Sequence, residues 1–259
     1  MSRFGNLELG GESEDQSPQQ EQQPLVKDEA YYLTEALSAF ENGNFEQALR
    51  FYSKVLEFNP HNAAAWTAQV RMLIELEEFR EAKLWADKAL ERFPREPELL
   101  AAKAVALGRG GDLQGALAFS DASIEERGDT PYVWLARGDV MLARKEHRAD
   151  YCFEKALLLA PKNWFIAWLA ARIRSYYNQF VLALKLLQQA VEWNTGHFLL
   201  WLELGRCQQS LGLVSLAEHS LTQAKQLNPH CQEAGLALIQ LSQSGPWARF
   251  RGWWRGKFR

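Results

Sequence analysis

The sequence predicts an all-α solenoid: six helix hairpins stacked one on the next, closed by a single further helix. Three observations predict it. One alanine recurs at Ala48, Ala82, Ala116, Ala149, Ala183 and Ala217, with spacings of 34, 34, 33, 34 and 34 residues. Prolines keep the same interval at Pro60, Pro94, Pro161 and Pro229, with Gly128 and Thr195 in the two remaining places. A large side chain recurs near the start of successive units as Trp66, Leu100, Trp134, Trp168 (one place late) and Trp201. Self-similarity at a fixed interval of this length marks stacked supersecondary units rather than one irregular core.

Each element follows from residue size and backbone chemistry. Residues 1–27 are acidic and rich in Gln, Gly, Ser and Pro, a composition that does not bury enough to offset the entropy of ordering, so this segment is read as a tail. From residue 28 to 243 the apolar residues fall at helical spacing. A small alanine lets two helices approach, and a large partner side chain fills the space beside it. Gly43-Asn44, Gly111-Asp112 and Gly212 break the chain between the two helices of a unit. The prolines end the second helix, because the ring removes a donor and restricts the preceding residue. The units run near 29–62, 63–96, 97–130, 131–163, 164–197 and 198–231, the fourth one residue short in its hairpin turn. Residues 232–243 form the amphipathic helix that covers the last apolar face. Residues 244–259 are a basic aromatic tail.

These residues resemble the tetratricopeptide repeat (TPR) family over roughly residues 29–231. The sixth unit carries Trp201, Gly205, Ala217, Ala224 and Pro229 at the signature places, and the fourth carries Trp134, Gly138, Ala149, Phe153, Ala156 and Pro161. The third unit matches least, with Ser123 and Gly128 at two of them. The resemblance implies a right-handed superhelix that binds protein or peptide in its concave groove. Fold alone carries function no further than that class.

Chemistry outside that class finds no support in the sequence. The three cysteines are far apart and form no CxxC pair, which suits a reducing compartment. The five histidines fall in turns or exposed helix positions with no ligand spacing, so no metal is expected. There is no phosphate loop, no dinucleotide fingerprint and no nucleophile elbow. The glycine-rich stretch at 108–112 sits in a repeat turn. The expectation is a non-enzyme without cofactors. A formal net charge of −3 makes no case for nucleic acid. The N-terminus has no apolar run of signal-peptide type, and no stretch reaches the length of a membrane span, so the expected address is the cytoplasm.

In the family the groove is lined by first-helix positions 2, 5, 9, 12 and 13. On this chain those places supply Arg71, Asp139, Arg172 and Arg206, with Tyr132, Trp168 and Tyr176 between them. As a peptide-binding set, the arginines would fork carboxylates and the aromatics would anchor an apolar side chain. A competing reading pairs the arginines with acids such as Asp139 and Glu203 and packs Phe165 and Trp168 between repeats. The clamp by which some TPR proteins hold the C-terminal carboxylate of Hsp70 or Hsp90 is absent: Leu33, Leu37, Ala68, Glu98 and Ala102 stand in its places.

The tail is a second candidate. Trp247, Phe250, Trp253, Trp254 and Phe258 are interleaved with Arg249, Arg251, Arg255, Lys257 and Arg259, and no acid lies among them. Three readings compete: packing back onto the terminal helix, docking on a partner or a weak contact with an anionic membrane surface, and stacking on nucleic acid. The membrane reading makes the chain a surface-associated assembly factor.

Overall fold

A computed structural model describes residues 27–243, which form thirteen α-helices. The first helices of the six units are α1 (Glu29–Glu41), α3 (Ala63–Glu75), α5 (Pro97–Arg109), α7 (Pro131–Ala143), α9 (Trp164–Tyr176) and α11 (Phe198–Ser210). The second helices are α2 (Phe45–Phe58), α4 (Phe79–Leu90), α6 (Leu113–Glu125), α8 (Ala149–Leu159), α10 (Phe180–Trp193) and α12 (Val214–Leu227). The terminal helix is α13 (Gln232–Gln243). Both sequence tails, including every candidate residue from Trp247 to Phe258, lie outside the described residues. No described helix is long and apolar enough to cross a membrane.

Local chemistry starts the helices where it should. Asp28, Asn62, Asp112 and Asn163 each accept a backbone N–H of the following turn through the side chain, meeting donors that the helix leaves without partners. Thr130 does the same ahead of Pro131, which opens α7. Each unit then turns through one residue in the left-handed region. It is Gly43, Gly111 and Gly212 in three units, and Glu77, Lys145 and Asn178 in the other three.

The recurring alanines are all buried, at 0–1% exposure. Gly138 and Gly205 extend the same logic. A Cβ on Gly138 would stand 2.9 Å from Phe153, and one on Gly205 would stand 2.6 Å from Leu221. The missing residue of the fourth unit does not tighten its hairpin: residues 144–148 form the connection, and α8 shortens to 11 residues by losing its first turn.

Helix packing runs between elements that are adjacent or next-but-one along the chain. Side chains go further. The turn of the first unit reaches the fifth and sixth, where Phe40 meets Phe165 at 5.0 Å and Phe45 stacks on Trp168 at 6.4 Å between ring centroids. A Cβ on Gly43 would lie 3.2 Å from Leu199. The superhelix is therefore wound tightly enough to close on itself across its own groove.

Candidate functional site

The inner wall is built by the first helices, and its charged residues sit at positions 9 and 13 of successive units, with Glu203 at position 6 of the sixth. Arg109 on α5 grips Asp139 on α7, with Nη2 at 2.6 Å and Nε at 3.1 Å from Oδ2. Tyr177 adds an Oη–H donation to Oδ1 of the same carboxylate at 2.7 Å. The side chains of Arg109 and Asp139 are 6% and 2% exposed, so this is an interior ion pair. Burial works against the charge of Arg109, but Asp139 beside it holds the guanidinium above its ordinary pKa. Burial, with Asp139 next to it, pushes the Tyr177 phenol well up.

One turn along the wall, Arg172 on α9 donates to Glu75 on α3 through Nε at 3.0 Å and Nη2 at 2.7 Å. Its Nη1 lies 3.4 Å from Glu203 on α11. Desolvation would raise the Glu75 carboxyl, yet the charges of Arg172 and Arg109 outweigh it and hold the group below its ordinary range. The guanidinium of Arg172 also lies over the rings of Phe45, at 4.7 Å, and Trp168, at 5.3 Å. Arg71 is held by rings in place of an acid, with its Cζ 3.9 Å from the Tyr132 centroid and 5.1 Å from that of Phe40. Burial moves the Tyr132 phenol well above its usual value.

Of the seven residues expected to line a peptide groove, the wall brings Arg71, Tyr132, Asp139 and Arg172 into one charged and aromatic network. Asp139 and Arg172 are engaged by other groups of the chain. Trp168 is fully buried, and its indole stacks on Phe45 and meets Phe165 at a tilt of 32°. Tyr176 is 38% exposed and lies under Arg109 at 4.2 Å. Arg206 is 43% exposed and pairs with Glu233, at 2.7 Å, and Glu203, at 3.7 Å. At the centre of the wall the free space is about 30 Å³ between Arg71, Glu75, Arg109, Tyr132 and Asp139.

Glu75, Arg109, Phe40 and Phe45 complete the network without having been singled out from sequence. Glu75 and Arg109 occupy position 13 of the second and third units and Phe40 position 12 of the first, so the groove positions could have found them. Nothing local marks Phe45. His197, expected in a solvated turn, is half-buried between Trp164 and Phe198, with centroids 4.6 and 5.8 Å away. Burial lowers its pKa, and its Nδ1 has no hydrogen-bond partner.

A larger opening lies where the first unit meets the last. A cleft of about 470 Å³ runs between the α1–α2 turn and helices α11 and α13. Arg172, Glu203, Arg206 and Glu233 line it with Phe45, Phe198 and Leu199, and Asn44 and Asn228 stand at its edge. Among the described residues no group of acidic, His or Cys side chains could hold a metal ion.

The profile of the tetratricopeptide repeat family matches residues 39–106. A search of curated proteins gives no match. Among solved structures, the human IFIT1 dimer with m7Gppp-AAAA aligns at a TM-score of 0.50 and 16% identity, covering 85% of this chain and 57% of that one. The Cut9–Hcn1 hetero-tetramer of APC/C aligns at 0.49 and 14%, covering 84% of this chain and 50% of that one. YrrB, a TPR protein with an unusual peptide-binding site, aligns at 0.42 and 16%, covering 72% and 96%. The chain thus spans about half the length of the first two, and at 16% identity the likeness to the IFIT1 structure shows the fold alone. Among the described residues thirteen helices stacked in a 34-residue register form an all-α repeat solenoid, and the tetratricopeptide repeat profile matching residues 39–106 supports a protein of that family.

Proposed function

We propose that the chain is a non-enzymatic scaffold or adaptor that holds an extended segment of a partner protein at its concave side. The observation that carries this reading is the cleft of about 470 Å³ between the first and last units. It joins an exposed guanidinium, Arg206, to the apolar wall of Phe198 and Leu199, with the amides of Asn44 and Asn228 at the rim. An extended peptide needs those three chemistries: a charge partner, a pocket for an apolar anchor, and polar groups for its own backbone.

Arg206→Glu reverses the charge at the cleft mouth, where Arg206 is exposed enough for the fold to tolerate the change. Affinity capture from the native source with quantitative mass spectrometry, beside a thermal melt showing the variant folded, tests the reading. Partners recovered by the wild type should fall about ten-fold or more, the loss of one charge-assisted contact. Unchanged recovery overturns the cleft as the binding site.

A further inference from the structure

The wall of α9 already has an occupant. Phe165, Trp168 and Arg172 face outward from one helix, and what sits on them comes from the opposite end of the chain: the rings of Phe40 and Phe45 and the carboxylate of Glu75. No extensive helix packing backs this contact, because all such packing joins elements near one another in the chain. The seam is made of side-chain tips. A contact of that kind separates with small rotations distributed over the intervening units, without unfolding any of them.

We propose that the seam is an internal clasp, and that the ligand which opens it is a peptide segment pairing an aromatic side chain with a carboxylate, taking the places of Phe45 and Glu75 on Trp168 and Arg172. The present occupant shows what the wall accepts. Arg172 presents Nε and Nη2 as a fork to one carboxylate while its face covers a ring, and a planar fork of this kind binds carboxylates from any source. The first unit holds its ring and the second unit its acid at high effective concentration, so a free peptide competes against them and binds weakly until they are displaced. This inference rests on the concave side being the binding side. It adds the chemistry of the ligand and the reason that Trp168 is hidden in the closed form.

The clasp predicts opposite signs for its two halves. Removing an occupant should tighten binding, whereas removing the wall should abolish it. The experiment uses the full chain, small-angle X-ray scattering, and fluorescence polarisation with a fluorescein-labelled peptide of alternating Phe and Glu, alongside the same peptide with Gln for Glu. Phe45→Ala should raise the radius of gyration and tighten the Phe/Glu peptide about five-fold or more. Adding Arg172→Gln should cancel that gain, and the Gln peptide should show none. Should Phe45→Ala fail to fold, Glu75→Gln tests the same clasp from its ionic half. A radius of gyration unchanged in both variants overturns the clasp, whatever partner capture by Arg206→Glu shows. Opening without tighter binding, or equal binding of the Gln peptide, overturns the ligand chemistry.

Discussion

Arg109→Met isolates what the interior ion pair contributes. Methionine keeps most of the aliphatic stem and leaves Asp139, 2% exposed, with the Tyr177 hydroxyl as a remaining hydrogen-bond donor. A buried carboxylate stripped of its countercharge costs about 3–5 kcal/mol, far more than the net contribution of the intact pair. For a described region of 217 residues, one kcal/mol moves the melting temperature by about 2–4 °C. The variant should therefore melt about 6–20 °C lower than the wild type by calorimetry or circular dichroism. The double variant Arg109→Met/Asp139→Asn removes the stranded charge and keeps a carbonyl oxygen for Tyr177. It should lose only the cost of an imperfectly paired amide, about 1–3 kcal/mol, and melt well above the single variant. A double variant no more stable than the single would refute the argument, because the loss would then not come from an uncompensated charge.

Two further outcomes follow from the same geometry. His197 resists protonation between the rings of Trp164 and Phe198, so its native pKa lies below the unfolded value of about 6.5. The unfolded chain then binds the proton first, and stability falls as pH drops through 6.5 toward the native value; His197→Gln should flatten that part of a urea-midpoint against pH curve, and an unchanged slope would exclude His197 as its source. Glu77 turns its unit at a φ of +62°, where Gly43, Gly111 and Gly212 stand in other units. Relief of about 1–2 kcal/mol of left-handed strain, less about 0.5–1 kcal/mol for the greater freedom of unfolded glycine, leaves Glu77→Gly about 0–1.5 kcal/mol more stable in denaturant titration; a loss of stability would refute it.

The fold was legible because its determinants are local and repeated. Alanine, proline and the turn glycines each act within one or two helices, and six copies make the register visible. The missing residue of the fourth unit is visible in the spacing, but whether a deletion tightens a turn or melts the first turn of α8 depends on the competing packing of Ala149 and Phe153, both buried. At the candidate site, pairing of the arginines with Glu203 and packing of Trp168 were open from sequence as one of two readings, while the partner Glu75 was not legible. Arg172 at position 9 looks like any groove arginine in sequence, and Glu75 stands 97 residues away from it. Their meeting depends on superhelical pitch, the sum of small rotations between successive units, which no single unit encodes. His197 was misplaced for a related reason, since one of the rings that enclose it, Trp164, comes from the start of the preceding unit.

The seam between the first and fifth units also alters the kind of chain this is. An open solenoid is a one-dimensional array in which each unit feels only its neighbours, so it can fray from either end and fold piecewise. Joining Phe40 and Phe45 to Phe165 and Trp168 closes that array into a loop. Damage in the first hairpin is then felt in the fifth without passing through the units between, and the end that would fray first is tied to a unit near the other end of the solenoid. Those contacts span more than a hundred residues, so they must form late in folding, after the intervening units have stacked. The closed superhelix behaves as a sprung ring, whose ends report on each other.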